Sequence, residues 1–131
     1  MKLITRDTDY AIRALCFVAK QKRRIYSVGE LAGKLKIPKP FLRKILQILN
    51  KKGLIVSYKG KGGGFMLDLA PNNISVIDLI EIFQGPAKLS EHTFKKKPCP
   101  HSKSCKLKEK IDDLERYLMS ELRSLTVFSL L

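Results

Sequence analysis

Apolar positions recur along this chain at helical spacing, broken once by a short stretch of β-type runs. The most informative stripe is Phe41, Leu42, Ile45, Leu46 and Leu49, which predicts one helix with a single buried face. Lys39, Arg43, Lys44 and Lys51 then fall on its other faces. An earlier stripe of Ile12, Leu15, Cys16, Phe17 and Ala19 predicts a first helix. It opens at Thr5–Asp9, where two carboxylates suit the positive end of the helix dipole, and it closes in the cations of Lys20–Arg24. Ser27 and Glu30 have the Ser-x-x-Glu spacing of a capping box, so a short second helix starts there. Ile37-Pro-Lys-Pro40 stops it and starts the third, since proline is tolerated in a turn or in a first helical turn. Two short helices joined by a turn, the second basic, form the helix-turn-helix pattern.

Gly53, directly after Lys51-Lys52, is placed to end the third helix in the left-handed conformation. Leu54–Tyr58 and Phe65–Leu69 are β-prone, and Lys59-Gly-Lys-Gly-Gly-Gly64 between them predicts a glycine-tipped hairpin, or wing. Ala70-Pro71-Asn-Asn marks a turn, and Ser75 opens a helix that Gly85 closes. Residues 86–104 are rich in Pro, Ser and Lys with no periodicity, which predicts a loop long enough to be functional or disordered. From Cys105 onward Leu107, Ile111, Leu114, Leu118, Leu122 and Leu125 are spaced by threes and fours. They predict one helix running to the terminus, about 25 residues and roughly 37 Å long. So long a rod outreaches the domain before it, and a partner subunit is expected to cover its stripe. The expected fold is mainly α with a small β-hairpin. The expected units are a winged helix-turn-helix domain (1–85), a sensor loop with cysteines (86–104) and a dimerisation helix (105–131).

Charge narrows the function. The 131 residues carry 26 basic against 12 acidic side chains, a formal net charge of +14. Between Lys34 and Leu67 there are nine Lys or Arg and no Asp or Glu. A helix apolar on one side and cationic on the other, continued by a cationic hairpin, suits a polyanion. Membrane is disfavoured as that anion, because no run approaches the roughly 18 apolar residues of a spanning helix and no apolar signal region follows the N-terminus. A cytoplasmic protein is expected. Cys16, Cys99 and Cys105 are too few for a secreted disulfide framework, and Cys16 lies in the apolar stripe of the first helix, as a core residue does. Gly60-x-Gly62 lacks the third glycine of a dinucleotide fingerprint, and no P-loop Lys-Ser/Thr follows. With no nucleophile–base pair and no paired carboxylates, an enzyme is not expected.

The segments KLITRDTDYAIRAL, IPKPFLRKILQILNKKGLIVS, KGKGGGF and PNNISVIDLIE resemble the winged-helix regulators of the IscR, NsrR and CymR family, over nearly the whole chain. The resemblance implies a homodimeric bacterial transcription factor, with the third helix in the major groove of an operator and the wing in the minor groove. It also implies, for many members, an iron–sulfur cluster that senses iron, nitric oxide or redox state. Cys99-Pro-His-Ser-Lys-Ser-Cys105-Lys-Leu107 matches the last two of three family cysteines. Near the expected first stands Thr93, with His92 beside it, and Lys108 occupies the position of a histidine in the iron–sulfur regulator. Asp9 matches an acidic ligand of the nitric-oxide-responsive branch, contributed across the dimer. The implied ligand set is therefore Cys99, Cys105, Asp9 and a histidine, His92 or His101, which favours a two-iron cluster. The alternative is a cluster-free regulator that uses these thiols as a switch or works through a partner protein.

On the basic tract, Arg43 and Lys44 are the candidate base readers, Lys39 and Lys51 the phosphate contacts, and Lys59 and Lys61 the minor-groove contacts of the wing. The iron–sulfur regulator has acidic and amide residues where Arg43 and Lys44 stand, so its target sequence does not carry over. A basic RNA-binding winged helix stays open as a second class, with Tyr58 and Phe65 the aromatics placed to stack bases.

Overall fold

Helix starts follow the capping chemistry. In the computed structural model, which describes residues 2–21, 24–89 and 105–131, the Thr5 side chain caps α1 (Arg6–Lys20) by accepting the Thr8 N–H. Ser27 and Glu30 close both bonds of a capping box at α2 (Val28–Leu35), and Ser75 and Asp78 do the same at α4 (Val76–Gln84). Between α2 and α3 (Lys39–Lys51) the chain turns at Lys36, which takes the left-handed conformation with φ 55°. That conformation costs a non-glycine residue about 1–2 kcal/mol. Burial of Ile37 and the bond from its N–H to the Ala32 carbonyl (3.2 Å) offset the cost. Gly53 ends α3 with φ 83°: its N–H donates to Asn50 and that of Leu54 to Leu49, both at 3.0 Å, the two bonds of a Schellman cap.

The core forms where α1, α2 and α3 meet. Leu42, Ile45, Leu46 and Leu49 of α3 pack with Ala11, Ala14, Leu15 and Val18 of α1 and with Leu31 of α2. Each fully buried leucine contributes about 1.5–3 kcal/mol. This fixes the rotation of α3 and so decides which of its cations face outward. Phe41 departs from the expected stripe. It is 43% exposed and supports the Arg6 guanidinium, 4.5 Å from its ring centroid. The first turn of α3 runs past the core edge and meets the first turn of α1, where a ring serves as a cation platform rather than as core.

β1 (Ile55–Tyr58) and β2 (Gly64–Leu67) pair antiparallel, Ile55 opposite Leu67 and Tyr58 opposite Gly64. The strands are shorter than predicted because Leu54 belongs to the cap of α3. A further pairing was not evident from pattern: Tyr26 exchanges both backbone bonds with Phe65, at 2.9 and 2.8 Å, which ties the hairpin to the segment before α2.

α5 (Lys106–Ser124) is a long C-terminal helix of 19 residues, roughly 28 Å, and does not reach the terminus. The Leu125 carbonyl accepts the Val76 N–H (2.8 Å), the Val127 N–H donates to Ile74 (2.9 Å), and Val127 is 0% exposed. Backbone pairing and this buried valine outcompete another helical turn. Leu122 packs with Val76, Ile77 and Ile80 of α4. Among the described residues, no helix is long and apolar enough to cross a membrane.

One polar side chain joins α4 to the start of α1. The Gln84 Oε1 accepts the Thr8 hydroxyl (2.6 Å) and the Thr5 N–H (3.0 Å), and its Nε2 donates to the Leu3 carbonyl (3.1 Å). Thr8 is fully buried. Gln84→Ala is expected to cost about 1–3 kcal/mol, the penalty for leaving buried polar groups short of a partner. Gln84→Glu, which keeps the acceptor and removes the donor, should recover part of that stability. Urea unfolding midpoints decide it, and an unchanged midpoint in Gln84→Ala would show that water satisfies Thr5 and Thr8.

Candidate nucleic-acid interface

With its leucines turned inward, α3 exposes Lys39, Arg43, Lys44 and Lys51. At 100° per residue Lys44, Gln47 and Lys51 share the outermost strip, and Lys39 and Arg43 form a second strip one turn apart beside it. Lys39 reaches back toward α2, its Nζ 3.9 Å from where a Cβ on Gly29 would stand. The start of α3 differs from the other helices. Thr5, Ser27, Ser75 and Cys105 cap α1, α2, α4 and α5 through their side chains, whereas Pro38 gives α3 no such bond, and its first turn holds no acid. The first-turn N–H groups are left without a side-chain cap on a cationic surface, which suits a phosphate.

The wing is held to this helix. The Asn50 Nδ2 donates to the Ser57 Oγ at 3.4 Å, from the end of α3 to β1. At the tip the Gly63 N–H donates to Gly60 at 3.0 Å, and Gly62, at φ 79°, takes the third position of a type II turn. Lys61 is thereby carried at the apex, and both Lys59 and Lys61 are exposed. The next two glycines are required by close approach: a Cβ on Gly63 would lie 2.2 Å from the Tyr58 carbonyl oxygen, and one on Gly64 2.2 Å from that of Tyr26. Of the two aromatics that an RNA reader would use, Tyr58 is exposed but Phe65 is half-buried against the core. That leaves one stacking platform and weakens the RNA reading.

Of the candidate ligands, Asp9 and Cys105 lie among the described residues. Cys99, His92 and His101 lie outside the described residues. Cys105 is half-buried as the cap of α5, where its Sγ accepts the Lys108 N–H at 3.4 Å. Lys108 itself holds Asp112 at 2.7 Å, and that bond raises its pKa. Asp9 accepts from Arg13 at 3.0 Å. Among the described residues no group of three His, Cys, Asp or Glu could hold a metal ion. Cys16 is half-buried beside the core, and burial pushes its thiol pKa up, with Lys20 opposing. Packing beside the core in this way is that of a structural cysteine.

Along α5 the expected stripe is largely open. Leu107 is 70% and Leu114 55% exposed, with Tyr117 at 68% beside them, and Ile111 and Leu118 are half-exposed. Only Leu122 of the helix is buried.

Residues 4–131 match the Rrf2 family model, described as an iron-dependent transcriptional regulator. An HTH-type transcriptional regulator of Aquifex aeolicus is 39% identical over 123 residues, 85% of this chain and 84% of that one. The HTH-type transcriptional regulator NsrR of Bacillus licheniformis is 32% identical over 121 residues, 90% of this chain and 84% of that one. Among solved structures, CymR, the global cysteine regulator of B. subtilis, superposes with a TM-score of 0.79 at 21% identity, over 99% of this chain and 96% of that one.

Proposed function

The chain belongs to the Rrf2 family of transcriptional regulators, and we propose on that premise that it is a cytoplasmic homodimer that reads a double-stranded operator through α3 and the wing. The observation that carries this reading is the set of exposed cations on α3 and the hairpin, within a run free of acidic residues from Lys34 to Leu67, together with a helix start that has no side-chain cap. Arg43 and Lys44 read bases, Arg43 by the two parallel bonds that a guanidinium makes to guanine. Lys39 and Lys51 hold phosphates, and Lys59 and Lys61 bring the wing to the minor groove, where they neutralise the phosphates at its edge. Residues 1–85 act as the DNA-binding unit, 86–104 as the sensor loop and 105–131 as the dimerisation segment, joined through the open leucine stripe of α5.

Salt titrations of operator binding test this assignment. Lys59→Ala with Lys61→Ala should weaken every duplex alike and flatten the dependence on salt by roughly 0.9 log unit for each phosphate no longer neutralised. Arg43→Ala should cost about 1–3 kcal/mol on the operator and far less on random duplex. An unchanged slope in the double variant would remove the wing from the interface, and equal effects on both duplexes would make Arg43 a phosphate contact.

For the signal, we read Cys99, Cys105, Asp9 and His92 as ligands of a two-iron cluster. Two thiolates completed by oxygen or nitrogen donors can hold such a cluster. When bound, it supplies a redox-active and displaceable centre suited to iron, nitric oxide or oxidant. Asp9 is paired with Arg13 within the chain, so it must release that partner to bind iron, and the family resemblance implies that it is contributed by the second copy. The half-exposed Cys105 at the start of α5 supports a second reading, a thiol switch, in which Cys99 and Cys105 respond directly to oxidants.

A further inference from the structure

A cleft of about 410 Å³ lies where the end of α4 and residues 85–89 face α5, outside the DNA surface and the cysteine ligands. Its size is within the roughly 300–1,000 Å³ of small-ligand sites. Leu3, Ile80, Ala87, Leu118 and Met119 make it largely apolar. Its charged lining is unbalanced. Lys2 and Lys88 form no ion pair among the described residues, while the carboxylate of Glu115 already accepts the Leu89 N–H at 2.9 Å. An apolar body with an anionic head satisfies both features, and a neutral or cationic head leaves the lysines unanswered. Gln84 also lines the cleft. It holds Leu3, Thr5 and Thr8, and the residue after Thr5, Arg6, stacks on Phe41 at the start of α3.

We propose that this cleft is an effector site for a small amphipathic carboxylate, whose binding bears through Gln84 and the first turn of α1 on the recognition helix. Only the consequence for DNA rests on the regulator reading; occupancy of the cleft does not.

The probe is octanoate, with octanamide as its neutral counterpart, titrated into the full-length protein labelled at the methionine methyl groups. The chain has three methionines, of which Met119 lines the cleft and Met66 lies in the wing. Octanoate should move the Met119 signal saturably, and octanamide should bind about fivefold more weakly, the effect of two solvent-facing cations. Lys2→Gln with Lys88→Gln should bring octanoate to the level of octanamide and leave octanamide unchanged. Ala87→Phe should fill the cleft and abolish both, with an unchanged Met66 signal in the wing. The lysine variant lies at the surface and keeps the test valid if Ala87→Phe fails to fold. No saturable shift of Met119, equal affinity for the two probes, or a shift that survives Ala87→Phe would each overturn the proposal. So would binding to a monomeric Leu114→Glu form alone, which would make the cleft part of the interface between copies. A protein that binds octanoate yet no DNA would sink the regulator reading and leave the site standing.

Discussion

Leu114→Glu should turn the protein into a monomer and lower its affinity for an operator of two half-sites by roughly 100-fold or more. Leu107, Ile111, Leu114 and Leu118 recur at steps of four, three and four on one face of α5, and the first and third are 70% and 55% exposed. In a folded monomer such a stripe leaves about 1.5–3 kcal/mol per leucine unrealised, which a second copy of the same helix would recover. A glutamate at the centre of the stripe places one carboxylate per subunit in the proposed interface, and without a partner cation that is strongly unfavourable. The fold itself should survive. Leu114 is exposed and takes no part in the cluster that Leu122 makes with α4, and glutamate is a good helix former. Light scattering gives the mass and circular dichroism the helix content. The DNA result follows from linkage, since two reading heads on one body bind the second half-site at high effective concentration and a monomer does not. Wild-type protein that is monomeric at micromolar concentration, or a variant that stays dimeric, would refute the assignment of this stripe.

What could be read from the sequence was mostly what short-range chemistry decides. The box at Ser27, the helix start at Ser75, the turn at Ile37–Pro40 and the cap at Gly53 each need only neighbours within a few residues, and the structure has them all. The cations of α3 and the wing were legible for a related reason: an acid-free run of sequence stays acid-free when it folds. Periodicity counts Phe41 as core, as it does any apolar residue at that spacing, while the partner that makes it a platform, Arg6, lies in another helix. The end of α5 was hidden in a similar way. Leucine spacing continues to Leu125 with no glycine or proline to break it, and the helix stops because Ile74 and Val76 take up the backbone beyond Ser124. Gln84 looked like an ordinary polar residue at a helix end, and nothing local reveals that Leu3, Thr5 and Thr8 converge on it. The ligand set is harder still. As proposed, it would draw on positions 9, 92, 99 and 105, and within one chain Asp9 is already paired with Arg13. A ligand contributed by a second copy is one that no local pattern encodes.

Protein purified without oxygen should contain iron and acid-labile sulfide and absorb visible light, and Cys105→Ala should abolish all three. The same holds for Cys99→Ala, because two thiolates leave no spare sulfur ligand and a cluster with one is not retained. Asp9→Ala should be milder: iron content falls and decay of the cluster in air speeds up, since a carboxylate binds iron less firmly than a thiolate. Arg13→Ala turns the ion pair into a test. The Arg13 guanidinium sits 3.0 Å from the Asp9 carboxylate and competes with any metal for it. If Asp9 is a ligand, removing Arg13 should slow cluster decay, the opposite direction from Asp9→Ala. If Asp9 serves only the dipole at the start of α1, the two variants should both leave the cluster unchanged. The thiol-switch reading makes a separate forecast: colourless protein after anaerobic reconstitution, with Cys99 and Cys105 alkylated when reduced and protected after mild peroxide. In that case DNA affinity should follow the peroxide treatment and be restored by dithiothreitol, while Asp9→Ala and Arg13→Ala bind the operator like wild type.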